Sequence, residues 1–188
     1  QPRPEIGGIV GKRQVEGHTC GFHCLESIYE AYGVSPEVAL LRERLGVDKP
    51  AVAFAKDSMG SIHPDIYRVA WQDGFAAEAL DLENPYFKEK LFYHLRGGRV
   101  AMALFRKRDS GILHWVILSE LKGGKLQIVD SLYAKPYLKP WEAFLDEEAL
   151  SVIMFSVAEE RTPVKIGDFH RKGLLEMNRV RKRLKKRK

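Results

Sequence analysis

Between Cys20 and Tyr32 the chain is apolar around most of a helix. Phe22, Leu25, Ile28, Tyr29 and Tyr32 recur at helical spacing, and Cys20, Cys24, Ile28 and Ala31 make a second stripe beside the first. A helix with so wide an apolar arc needs other elements on several sides, so it belongs at the centre of a layered fold. His23, Glu26 and Glu30 fall on its narrower polar side. Gly33 supplies a stop, and Thr19 is placed as N-cap, which puts Cys20 in the first turn.

The rest of the chain supplies those neighbours. Residues 1–17 read as an extended, loop-rich lead-in. Further helices are expected over 36–45, with Ser35 as N-cap, over 64–73 and over 86–96. Strand patterns follow at 75–80, 99–106 and 113–121. Lys122-Gly123-Gly124-Lys125 is a hairpin signal leading into 126–129. A helical turn at 140–144 and a last strand at 150–158 complete the pattern. Helices come mainly first and an antiparallel sheet mainly after, which is the α+β class. The 188 residues suit one domain, taken as 1–160, with 161–188 as a basic tail or helix.

The net charge of +6 is local. Eight of the 31 Lys and Arg lie in the last ten residues, and without them 23 basic residues face 25 acidic ones. The run 179–188 is therefore expected to be a solvated, frayed terminus, or a contact for an anionic partner such as a membrane. Nucleic-acid binding is not expected of the body. Two cysteines four apart on one helix are poorly placed for a disulfide, so a reducing compartment is allowed but not required. The start at Gln1 is read as trimming, by a chosen chain boundary or by loss of an export signal.

Cys20 carries the chemical argument. A thiol at a helix N-terminus meets unpaired backbone N–H groups and the positive end of the dipole, which favour the thiolate. Gly21 beside it permits close approach of a substrate or another backbone. Cys24, one turn deeper on an apolar face, reads as core. Among the six histidines, His114 opens a strand after the loop 109–111, and Asp130 ends the next hairpin strand. The hairpin returns Asp130 to the end of the sheet that holds His114. There a carboxylate can fix the imidazole tautomer. His18 stands in a loop close to Cys20, and His63, His94 and His170 show no partner pattern. No metal-ligand spacing, phosphate loop or dinucleotide fingerprint is present, so no cofactor and no metal are expected.

These residues resemble the C39 family of papain-like cysteine peptidases, which includes peptidase domains of bacteriocin-exporting transporters. The resemblance runs from about Ile9 to Val157, through Gln14, Cys20-Gly21, Gly60-Ser61, His114-Trp-Val-Ile and Lys125-Leu-Gln-Ile-Val-Asp130. It implies a papain-like fold, a Cys20–His114–Asp130 triad and Gln14 as oxyanion donor. It also implies a peptide or protein substrate, cleaved at a small-residue site. By the same resemblance the basic segment would lead toward a transporter or membrane, and the cytoplasmic side is favoured. The family usually has Asp before the cysteine, small residues after Cys-Gly and Pro after the triad aspartate; here stand Thr19, Phe22-His23 and Ser131. A transglutaminase-like acyltransferase shares the order Cys, His, Asp, and a non-catalytic peptide-binding module shares the shape. Both remain alternatives at this point.

Overall fold

The computed structural model describes residues 2–50, 60–160 and 162–187. Gln1 and Lys188, the outer ends of the lead-in and of the basic run, lie outside them. Helix α1 (Cys20–Ala31) is the centre of the molecule. Phe22, Leu25, Ile28, Tyr29 and Tyr32 are all buried, as the wide apolar arc requires. Each Leu or Ile so enclosed contributes about 1.5–3 kcal/mol over an exposed one.

Around it stand α2 (Val38–Arg44) and α3 (His63–Gln72). The N-cap of α2 is Glu37 rather than Ser35, and no side chain caps it. Strand β1 (Phe75–Ala79) and helix α4 (Phe87–Arg96) follow, then β2 (Ala101–Arg106), β3 (Leu113–Lys122) and β4 (Lys125–Val129). Gly123 and Gly124 both have positive φ, 55° and 76°, as a two-residue hairpin turn demands. Strand β5 (Tyr137–Pro140) was not expected from sequence. It is an edge strand in which proline is tolerated. Helix α5 (Trp141–Ala143) runs into a π-helical turn (Phe144–Glu148), and β6 (Ala149–Val157) ends the sheet.

The six strands lie in the order β1-β6-β2-β3-β4-β5, every neighbouring pair antiparallel. Alternation sorts their side chains onto two faces. Met102, Leu104, Trp115, Ile117 and Phe155 join the core of α1 to α3. Ala103, Phe105, Val116, Leu118 and Val152 join Leu91 and Leu95 of α4 and Phe144 of the π turn. The lead-in segment is tied across this body. Arg3 N–H donates to the Tyr32 carbonyl at 2.7 Å, and Ile6 N–H to that of Gly98 at 2.9 Å.

The basic run is not a frayed terminus. Residues Ile166–Lys186 form α6, which packs on α3 and β6. Gly173 rests on the ring of Pro64 so closely that a Cβ would lie 2.3 Å from its Cγ. Glu176 and Arg183 are 1% and 6% exposed and paired at 3.2 Å. Glu176 also accepts from the Ser151 hydroxyl, which meets the His63 ring, both at 3.0 Å. Burial, with Arg183 nearby, pushes His63 down to about 3, so this ring is neutral. The outer face of α6 keeps Arg171, Lys172, Lys182 and Lys185 in solvent. Among the described residues no helix is long and apolar enough to cross a membrane.

Candidate active site

Cys20 is the first residue of α1 and is 7% exposed. Thr19 occupies the N-cap position, but its hydroxyl donates to the Glu16 carbonyl at 2.9 Å instead of capping the helix. The N–H groups of the first turn therefore receive no side-chain cap. The Trp115 N–H points at Cys20 Sγ from 3.5 Å.

His114, the second residue of β3, stands opposite Phe105 of β2. Its Nε2 meets Asp130 Oδ1 at 2.7 Å, and Cys20 is the other side chain that raises the ring's affinity for its proton. With Nε2 committed to the carboxylate, Nδ1 is the nitrogen left for the thiol. Asp130 directly follows β4, so the hairpin brings the carboxylate back to the imidazole. The carboxylate also accepts from Leu132 N–H at 3.0 Å and from the Tyr137 hydroxyl at 2.9 Å. Tyr137 escaped sequence reasoning because it lies on the unexpected strand β5.

Burial pushes His114 down, but its hydrogen bonds to Asp130 and Cys20 outweigh that and hold it up at about 9. Burial pushes Asp130 up, but the bonds from His114 and the Leu132 N–H win, and its carboxyl lies below the ordinary value. The expected NMR titration of the His114 ring is therefore near pH 9 instead of the ordinary 6.5, and Asp130→Asn should bring it down. Because the folded-state value is the higher one, the charged ring favours the fold. That contribution is complete below about pH 6.5 and is lost as the pH rises through about 9. A His114 ring that titrates below 7 would contradict this account.

Gln14 arrives on the lead-in segment. Its N–H donates to the Ser131 carbonyl at 2.9 Å, its Nε2 to the Glu16 carbonyl at 2.9 Å, and its Oε1 accepts from the Ser131 hydroxyl. The amide thus lies beside the turn that carries Asp130. Gly21 packs against Ser61, whose carbonyl accepts from Trp115 Nε1 at 3.3 Å. A Cβ on Gly21 would sit 2.7 Å from Ser61 Cβ and 3.0 Å from Trp115 Cδ1. Gly21→Ala should therefore cost about 1–3 kcal/mol of stability in urea unfolding. No loss would mean that the Ser61 turn gives way freely.

The other histidines have structural partners. His94 bonds the Val100 carbonyl at 2.8 Å, and His23 meets Glu26 at 3.0 Å. Cys24 is buried, and that burial pushes its thiol well up, in keeping with a core role. His18 meets Asp48 at 2.8 Å, and with Glu16 these are three ligand types within 4.8 Å of one another. A cation already serves them: Arg42 reaches Asp48 at 2.7 Å and Glu16 at 3.0 Å, and holds the Asp48 carboxyl far below its usual range.

No protein-family model and no curated protein matches the sequence. Solved structures do match the fold. The peptidase domain of Streptococcus ComA, a bifunctional ABC transporter of a quorum-sensing pathway, aligns with a TM-score of 0.58 at 19% identity, over 79% of this chain and 98% of that one. A double glycine motif protease from an AMS/PCAT transporter, solved with its leader peptide, gives 0.59 at 20% identity over 84% and 98%. A Bacillus anthracis protein solved as a C39-like peptidase gives 0.57 at 14% identity over 83% and 100%. The chain has the α+β, papain-like fold of the C39 peptidase domains.

Proposed function

We propose that this chain is a cysteine peptidase acting through Cys20, His114 and Asp130. The observation that carries the reading is one imidazole that meets a buried carboxylate at 2.7 Å and adjoins, along its strand, the Trp115 N–H that reaches the helix-terminal thiol at 3.5 Å. In the proposed reaction the proton of the Cys20 thiol already resides on His114, and the sulfur attacks the peptide carbonyl carbon beside the charged ring. The oxyanion is held by the Cys20 backbone N–H and the Gln14 side-chain amide. As the C–N bond breaks, the imidazolium gives its proton to the leaving amine. Water, deprotonated by the same ring, then hydrolyses the thioester. Asp130 keeps the ring oriented and its charge compensated.

The substrate class is a peptide, and the burial of Cys20, only 7% exposed, favours small residues at the cleaved bond. The likeness to a protease solved with its leader peptide supports the same direction. The C39-type fold speaks for hydrolysis over transglutaminase-like transfer, and the intact thiol–imidazole–carboxylate set speaks against a purely binding module.

The test is exposure of a proteome-derived peptide mixture to the protein and to Cys20→Ala, with new termini read by mass spectrometry. Cleavages made by the protein and missing with Cys20→Ala support the proposal. Peptides retained by both proteins and cut by neither would replace it with the binding module.

A further inference from the structure

We infer that Ser131 is a positioning residue that sets the oxyanion donor through Gln14; the inference rests on the acyl-transfer reading of Cys20 above. Gln14 and Ser131 are 117 residues apart and meet twice, through the Gln14 N–H on the Ser131 carbonyl and the Ser131 hydroxyl on Gln14 Oε1. The hydroxyl alone could not orient the amide, because it can donate to the oxygen or accept from the nitrogen equally well. The Glu16 carbonyl removes that freedom. It only accepts, so it selects Nε2, at 2.9 Å, and the oxygen must face Ser131.

One amide N–H is spent on Glu16, and the second is left to donate. The side-chain amide is thereby held at two points, and the backbone that bears it at a third, before any substrate arrives, and a donor fixed in advance is what stabilises developing charge. Ser131 is buried and adjoins Asp130, and the Tyr133 N–H closes that turn on the Asp130 carbonyl at 3.0 Å. One short turn thus orients both the carboxylate behind His114 and the amide at Gln14. Proline at this position, usual in the family that the sequence resembles, would have no hydroxyl to offer.

Two electrophiles separate this role from thiol reactivity. p-Nitrophenyl acetate acetylates Cys20. The S–C bond forms through a tetrahedral oxyanion, the C–O bond breaks, p-nitrophenolate leaves and His114 keeps the proton that the thiol has given up. Iodoacetamide alkylates the same sulfur by displacement of iodide at a saturated carbon, with no oxyanion at the reacting atom. Ser131→Ala should slow acetylation on the order of tenfold and leave alkylation within about twofold. Ser131→Thr, which keeps a hydroxyl, should restore the ratio, and in a Gln14→Ala background Ser131→Ala should add nothing further.

Equal slowing of both reactions, or of neither, would overturn the inference, since either outcome assigns Ser131 no role at the oxyanion. If native protein and Cys20→Ala release p-nitrophenolate at the same rate, the reading of Cys20 fails, and the inference with it. Circular dichroism of Ser131→Ala and Ser131→Thr establishes that each rate belongs to a folded chain.

Discussion

Peptide cleavage by the His114→Ala variant is expected to fall by about 10⁴-fold or more in kcat, and cleavage by Cys20→Ala at least as far. The size follows from the arrangement. The imidazole coupled to the thiol is backed by a carboxylate whose side chain is 2% exposed. In the proposed reaction, removing the ring removes the group that holds the thiol proton and the donor to the leaving amine together. Residues that act as a unit are not additive, so the double variant should be no slower than either single one. The check is single-turnover cleavage of a peptide that the native protein cuts in the proteome-derived mixture. His114→Ala activity within tenfold of the native rate would mean that another group serves as base.

The second large effect concerns stability. Glu176→Ala should destabilise the fold by about 3–5 kcal/mol, because it leaves the buried Arg183 guanidinium with only the exposed Glu83 carboxylate, 4.0 Å away. It also leaves the Ser151 hydroxyl without its acceptor. The Glu176→Leu/Arg183→Met pair, which removes both charges and keeps volume, should recover most of that loss. Urea unfolding of the three proteins measures both numbers. An effect below about 1 kcal/mol for Glu176→Ala would show that water reaches Arg183 once the carboxylate is gone. Deletion of 179–188 meets the same difficulty: it takes Arg183 away and strands Glu176, so it is no neutral way to probe the basic run.

That run is also where sequence reading and structure part most. A density of Lys and Arg signals solvent, and most of these side chains do lie in solvent. What binds α6 is the opposite face, where Gly173, Glu176, Val180 and Arg183 are buried. Two of those four are charged, and a charged residue at a core position has no apolar signature. The centre of the fold was legible for the converse reason: α1 buries the apolar stripe its periodicity marks, with Glu26 of the expected polar side buried as well, and Gly123-Gly124 fixes the hairpin length that returns Asp130 to His114. Ser131 and Tyr137 were not legible as supports of the site. Each acts on a residue by a contact that depends on the tertiary path, across 117 positions for Gln14 and through the edge strand β5 for Asp130.

The strand order has a temporal meaning. Strands β2 to β5 follow one another in sequence and pair as neighbours, so this meander with His114 and Asp130 can form from local contacts as it is synthesised. The part carrying the thiol, α1 to β1, comes earlier in the chain, yet β1 hydrogen-bonds only to β6 among the described strands. β6 is also the strand that joins β2, so it is the stitch between the two parts. Until residues 149–157 have emerged, the sheet holds no hydrogen bond between the half with the sulfur and the half with the imidazole. Registration of the two halves through the sheet therefore follows the meander in the order of synthesis, and β6 completes it.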